Sequence, residues 1–279
     1  MKKYILFFII AFSLIFFVLN IQFLNKKEPI IDNTVDEIIN EKEDKIIDNS
    51  NKDIITYTKD DDKEILYLMG KFNPSRENNF SLISKKYTLK DNLYMRDEVY
   101  KAFIEMRDGA LKDNIKLNIV SATRNFNSQK NIWENKWQGV TLIDNKNLKE
   151  NIPNELERIK KIIKFSSVPG TSRHHWGSDI DINSVEPSYF NTDKGKKEYE
   201  WLSKNAIAFG FCQPYNKDRN SGYEEEKWHW SYMPISKGLL QDYIKLIKLE
   251  DIKGFLGDKY VTQMEIINNY VLSINPECI

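Results

Sequence analysis

Three histidines are all that this 279-residue chain contains, and each sits within a few residues of a carboxylate. Two are adjacent, in Pro169-Gly170-Thr171-Ser172-Arg173-His174-His175-Trp176-Gly177-Ser178-Asp179-Ile180-Asp181-Ile182. The third lies in Glu226-Lys227-Trp228-His229-Trp230. Zinc accepts imidazole nitrogen and carboxylate oxygen, and a catalytic zinc keeps three protein ligands plus one water. His174, Asp181 and His229 form such a ligand set. A zinc-bound water needs a general base within reach, and Glu226, three residues before His229, is the candidate. One histidine alone is more often an ordinary half-buried polar residue. All three gathered beside carboxylates in two aromatic-rich stretches point to a metal.

The elements around these residues limit the choice. Asp-Ile-Asp-Ile at 179–182 alternates as a short strand, within a stretch read as strand from about 172 to 182. Residues two apart on a strand share a face, so Asp179 and Asp181 should look into a cleft while Ile180 and Ile182 enter the core. Asp179 is therefore either a rival ligand or the partner that orients a ligand histidine. His175 rivals His174, although neighbours on an extended chain point opposite ways. Glu226 has the wrong strand parity to share a face with His229. If both reach one metal, the strand must begin after Glu226 or bulge there.

A further motif follows a predicted strand at Leu117–Val120: Ser121-Ala122-Thr123-Arg124-Asn125-Phe126-Asn127-Ser128-Gln129. The guanidinium of Arg124 offers a bidentate fork for a carboxylate, and an enzyme that cuts at a peptide C-terminus needs such a clamp. A surface salt bridge is the alternative use of this residue.

Helical spacing of Val99, Ala102, Phe103, Met106 and Ala110 predicts a helix over 95–112. A second helix should carry Gln129, Ile132, Trp133 and Trp137. Pro153 can open a third as a first-turn proline, through Leu156, Ile159 and Ile163. Another helix is expected over 195–209, stopped by Gly210, with strands at 211–215 and 227–233 and helices near 236–249 and 261–273. Strands and helices alternate without a βαβ rhythm. The expected class is α+β, a small antiparallel sheet carrying the zinc site and backed by several helices.

Lys+Arg and Asp+Glu both number 41, but the charge is uneven: residues 28–64 carry thirteen acidic and five basic side chains. No phosphate-binding glycine loop or aromatic RNA-binding signature appears, and nucleic acid is not an expected partner. Tyr4 to Leu24 is almost unbroken apolar sequence, and about 20 such residues cross a bilayer. Residues 1–24 are expected to be an uncleaved signal anchor or a signal peptide. Residues 25–63 are read as an acidic flexible linker and residues 64–279 as the catalytic domain. Either reading of the N-terminus exports that domain to the extracytoplasmic face of the membrane, where a disulfide between Cys212 and Cys278 is allowed. Spacing does not decide whether it forms.

These motifs resemble the zinc D-alanyl-D-alanine carboxypeptidase family, in the branch of VanY and LdcB type. The family pattern S-x-H-x-x-G-x-A-x-D is matched by Ser172, His174, Gly177 and Asp181. E-x-W-H is matched by Glu226, Trp228 and His229, and S-G-Y-R-x-x-x-x-Q by Ser121, Arg124 and Gln129. The resemblance covers roughly residues 64–240. It implies that His174, Asp181 and His229 bind zinc, that Glu226 is the catalytic base and that Arg124 recognises the substrate carboxylate. Ser172 and Gln129 would be supporting polar groups in the cleft. The implied substrate is the peptidoglycan stem peptide. A monomer is expected, in contact with the membrane through its N-terminal helix where that helix is retained. Asp179 stands where the family usually has Ala, Arg173 replaces a common Glu, and Ala122-Thr123 replaces Gly-Tyr. None of these departures removes a ligand or the base. A peptidoglycan endopeptidase and a non-catalytic, zinc-stabilised wall-binding module are the competing readings.

Overall fold

The computed structural model describes residues 59–279 of the chain. The anchor or signal helix over 1–24 and most of the acidic linker lie outside the described residues. Among the described residues no helix is long and apolar enough to cross a membrane.

The first described helix, α1 (Lys59–Leu68), begins inside the stretch read as linker. A two-stranded ribbon follows, β1 (Phe80–Leu82) with β2 (Tyr94–Arg96). Helix α2 (Asp97–Lys112) is where the apolar spacing put it. Asp97 and Glu98 occupy its first turn, Lys112 its last, and Val99, Ala102, Phe103, Met106 and Ala110 face inward. Charges so placed complement the helix dipole, and each of the larger buried side chains stabilises the fold by roughly 1.5–3 kcal/mol.

That inward face packs on the central sheet. Strands β3 (Ile119–Ser121), β4 (Asp179–Ile182), β5 (Phe211–Cys212) and β6 (His229–Tyr232) join in the order β3-β4-β6-β5, every pair antiparallel. Ile119, Ile180, Ile182, Phe211 and Trp230 form one core with α2 and with Leu202 and Ala206 of the 193–209 helical stretch. The opposite face carries polar rows set by register. Ser121 pairs with Asp181 and Asp181 with His229, while Asp179 pairs with Ser231 and Ser231 with Cys212. The expected division holds: isoleucines of β4 in the core, aspartates on the other side.

A second apolar cluster lies beyond the polar face, formed by Leu68, Trp133, Trp137, Ile159, Ile162, Trp176, Tyr215 and Tyr243 among others. Helix α3 (Phe126–Trp137) contributes to it, capped by the Asn125 side chain, which accepts from Ser128 N–H at 2.8 Å. A one-turn helix, α4 (Leu148–Asn151), leads to α5 (Glu155–Ile163). Pro153 does not open α5. Asn154 is the cap, accepting from Glu157 N–H at 3.1 Å, and the side-chain acceptor that satisfies an orphan N–H takes precedence over proline's fixed φ.

Two further expectations are corrected. Residues 172–176 are not strand; Arg173–Trp176 form a 3-10 turn closed by Gly177 at φ 72°. A Cβ at Gly177 would stand 2.5 Å from the Phe80 ring, so this turn admits no side chain there. The region 261–273 is not an α-helix either. Glu265 has a φ of 46° and breaks it, leaving helical turns and a π-turn at Ile267–Val271. Helix α6 (Asp193–Asn205) and its 3-10 extension to Phe209 end at Gly210 as expected, and α7 (Met233–Leu246) starts three residues early with Pro234 in its first turn. Cys212 of β5 is bonded to Cys278, with Cα atoms 5.7 Å apart, answering the question that spacing left open.

Candidate metal centre and its cleft

The 3-10 turn supplies His174, β4 supplies Asp181 and β6 supplies His229. Register makes Asp181 and His229 direct cross-strand neighbours, and the turn brings His174 in from the side. One donor atom from each lies within 4.8 Å of the others. His174 Nε2 is 3.3 Å from Asp181 Oδ1, and His229 Nδ1 is 3.5 Å from the same oxygen. All three side chains are buried.

The hydrogen bonds behind these groups fix which atoms face forward. His174 Nδ1 lies 2.8 Å from the Ala122 carbonyl, which can only accept. The proton therefore sits on Nδ1, and Nε2 presents a lone pair. Burial, followed by the Arg124 charge, holds the His174 pKa below its ordinary value, so the neutral form dominates. His174 Nε2 and Asp181 Oδ1 are both buried with no hydrogen-bond partner. Two acceptors facing each other at 3.3 Å, out of water, call for a cation between them. Two imidazole nitrogens and a carboxylate oxygen are a donor set suited to zinc.

Burial pushes the His229 imidazole toward neutrality, but hydrogen bonds to Asp179 and Glu226 and the charge of Asp181 outweigh it, raising its pKa to about 9. Burial would likewise raise the Asp181 carboxyl. The flanking imidazoles and the Arg124 guanidinium hold it well below the usual carboxylate range instead. The cluster thus supplies an ionised carboxylate and one neutral imidazole without any change in protonation.

Glu226 reaches the same point from outside the strand. His229 N–H closes a turn onto the Glu226 carbonyl at 3.3 Å, and β6 begins only at His229. The strand therefore starts after Glu226, as its parity required, and Glu226 Oε2 comes to 3.2 Å from His229 Nδ1. This is the one acidic side chain at the cluster that is partly open to solvent, at 16% exposure against 4% for Asp181.

Arg124 is tied to the site by its backbone, its N–H donating to the His174 carbonyl at 3.1 Å. Its guanidinium lies 3.7 Å from Asp181 Oδ2 and donates to Ser121 Oγ at 3.1 Å, with Nε buried and unpartnered. It is a partly buried group beside the cluster, not an exposed surface ion pair. Gln129 is buried on α3, donating to the Ser167 carbonyl at 2.8 Å while its Oε1 has no partner. Ser172 is buried at the start of the turn, where its carbonyl accepts from His175 N–H; its hydroxyl does not cap the turn.

His175 is not a ligand. Its Nδ1 lies 2.6 Å from the Arg124 carbonyl and its Nε2 accepts from Gly170 N–H at 3.1 Å. Burial lowers its pKa to about 3, so it is a neutral strut between two loops of the cleft. Asp179 is not a ligand either, since its Oδ1 receives the His229 Nε2 proton at 2.9 Å from behind the cluster.

Sequence reasoning missed three neighbours. The Tyr215 ring lies edge-on to His229 at 4.8 Å. Ser231, two residues after His229, shares its face, a parity that was readable. Lys136 hydrogen-bonds the Ser166 hydroxyl, and burial lowers its pKa to about 8 despite the Glu226 charge nearby. Nothing in its spacing marked it.

A sequence profile of the VanY family, described as D-alanyl-D-alanine carboxypeptidase, matches residues 92–235, a span that includes His174, Asp181, His229, Glu226 and Arg124. The chain belongs to this family. It is 28% identical over 186 residues to the putative carboxypeptidase YodJ of Bacillus subtilis, covering 56% of this chain and 60% of that protein. A 71-residue stretch is 38% identical to a D-alanyl-D-alanine carboxypeptidase of Enterococcus faecalis, a quarter of each chain. The chain thus spans less than two thirds of either curated relative. Among solved structures, a VanY D,D-pentapeptidase in complex with Zn(II) aligns at 20% identity and a TM-score of 0.45, covering 68% of this chain and 93% of that one. The LdcB LD-carboxypeptidase aligns at 22% and 0.45, covering 64% and 81%.

Proposed function

We propose that this protein is a zinc-dependent carboxypeptidase that removes the C-terminal D-alanine from peptidoglycan stem peptides outside the cytoplasm. The observation that carries the reading is the buried pair of facing acceptors, His174 Nε2 and Asp181 Oδ1, with His229 Nδ1 beside them and Glu226 at the open edge. Zinc held by His174, Asp181 and His229 would polarise the scissile carbonyl and make a water acidic enough to attack near neutral pH.

The remaining chemistry falls to the chain's own groups. Glu226 Oε2 takes one proton from the attacking water as its oxygen bonds to the carbonyl carbon. The same carboxyl then delivers a proton to the leaving amine as the C–N bond breaks, so one water is consumed and Glu226 returns to its starting state. Arg124, at the rim and with an unpartnered Nε, suits the carboxylate of the terminal residue. Such a clamp favours exopeptidase over endopeptidase action. A partly open carboxylate beside the cluster has no role in a purely structural site, and this speaks against the binding module. The N-terminal apolar run and the disulfide support an extracytoplasmic location.

The test is mass spectrometry of defined pentapeptide, tetrapeptide and cross-linked muropeptides incubated with the zinc-loaded full-length chain and with Glu226→Gln. Loss of one terminal alanine with wild type, slowed about 10²–10⁴-fold in the variant, is expected, and the substrate consumed identifies the bond as D,D or L,D. Cleavage of cross-links alone would move the assignment to endopeptidase. Stoichiometric zinc with no product from any substrate would overturn the enzyme reading of this site.

A further inference from the structure

The two histidines of the cluster offer opposite ring nitrogens, and what lies behind each differs in charge. His174 points Nε2 forward and rests Nδ1 on a neutral backbone carbonyl. His229 points Nδ1 forward and rests Nε2 on the Asp179 carboxylate at 2.9 Å. That carboxylate is wholly buried and fully engaged. Its Oδ1 also takes Arg173 Nε–H at 3.0 Å, and its Oδ2 takes the Ser178 hydroxyl at 2.5 Å. Arg173 in turn donates to Ser231 Oγ at 2.6 Å. Asp179 and Ser231 are cross-strand partners, one row along from the Asp181–His229 pair. Arg173 and the ligand His174 are adjacent in the same 3-10 turn. One ion pair therefore joins all three ligand-bearing elements, turn, β4 and β6, behind the metal.

We infer that Asp179, held in place by Arg173, is a positioning residue that presents His229 to the metal through Nδ1; the inference rests on the zinc reading above. Burying a carboxylate and a guanidinium costs several kcal/mol unless geometry and extra hydrogen bonds offset it. A structural need to fill this space would be met as well by apolar side chains of similar volume. What the pair supplies that apolar groups cannot is an acceptor at Nε2 and a negative charge behind the ligand. Such a carboxylate fixes the ring and makes the coordinating nitrogen more basic. Arg173 balances that charge locally, on the side of His229 away from Asp181.

The test compares the full chain with two double variants that leave no charge unpaired. Arg173→Met with Asp179→Ala removes the acceptor. Arg173→Gln with Asp179→Asn keeps a neutral one. Zinc affinity is read by chelator competition and ligand geometry by the visible spectrum of the cobalt(II)-substituted protein. The Met/Ala protein should bind zinc about 10–100-fold more weakly with an altered cobalt spectrum, and the Gln/Asn protein should recover part of both. In the wild-type zinc protein, imidazole ¹⁵N NMR should show His229 protonated at Nε2 and metal-bound at Nδ1, with His174 the reverse. This readout holds even where a variant does not fold. A folded Met/Ala protein with wild-type zinc affinity and cobalt spectrum, or His229 bound through Nε2, would overturn the inference alone. A wild-type chain that binds no zinc would overturn the metal reading and this inference with it.

Discussion

Breaking the bond between Cys212 and Cys278 should cost this domain much of its stability. The two residues are 66 apart in sequence, and the chain-entropy relation for a loop of that length gives about 4 kcal/mol at 25 °C. A small domain has a total stability of roughly 5–15 kcal/mol, so reduction should leave it marginal. Both sulfurs are buried, Cys278 completely, and the freed thiols would stay in the apolar cluster without a new desolvation penalty. The loss should therefore be close to the loop-closure value. The tethered segment holds Glu226, β6 with His229, and α7, while Cys212 pairs with Ser231 across the sheet. The assay is urea unfolding of the zinc-free chain, oxidised against thiol-reduced, followed by tryptophan fluorescence. With a slope of about 2 kcal/mol per M, the midpoint should fall by about 2 M. A shift below about 0.5 M would refute the reasoning, because it would mean that the C-terminal segment is held as well by packing alone.

Two other perturbations separate binding from chemistry. Arg124→Ala should lower kcat/KM on a carboxylate-terminated stem peptide roughly 10–100-fold, mostly through KM, since a charge-assisted hydrogen bond contributes about 1.5–3 kcal/mol. Arg124→Lys should restore little of it, and steady-state kinetics on free-acid and amidated peptides would show whether the lost contact is to the carboxylate. Zinc uptake should be proton-coupled. Below about pH 9 the metal-free protein keeps a second proton on His229, whereas His174 and Asp181 have none to lose. Affinity should therefore rise up to about tenfold per pH unit toward pH 9 and then flatten. Calorimetry in buffers of different ionisation enthalpy should find close to one proton released at pH 7.5.

Much of the site was legible because zinc chemistry restricts residue types and a strand restricts parity. Those two limits narrowed the candidates to His174 or His175, Asp179 or Asp181, His229 and Glu226, and they required that β6 begin after Glu226, as it does. The alternation of Asp179 to Ile182 assigned the faces of β4 correctly. Less visible was anything decided by packing between distant segments. His175 looked as good a ligand as His174 until the 3-10 turn aimed one ring at the cluster and the other at Gly170 and Arg124. The role of Asp179 stayed open because it depends on which nitrogen of His229 lies behind the site. Pro153 misled because the Asn154 side chain outcompetes it as a helix start, and residues 261–273 misled because helical spacing survives a single residue at positive φ. The backbone carbonyl of Ala122, which sets the His174 tautomer, carries no side-chain signal at all.

The row of Ser121, Asp181 and His229 across three strands also sets an order in time. Of the three side chains proposed to hold zinc, His174 and Asp181 lie seven residues apart and are made together, but His229 arrives only with β6, after the 193–209 helix and β5 have been synthesised. Contacts between segments so far apart form late, because a long loop must close before they contribute. A chain still emerging therefore holds at most two ligands, and two ligands grip zinc poorly. Metal capture at the proposed centre would therefore wait until β6 has paired with β4, and loading would follow the pairing that sets His229 beside Asp181.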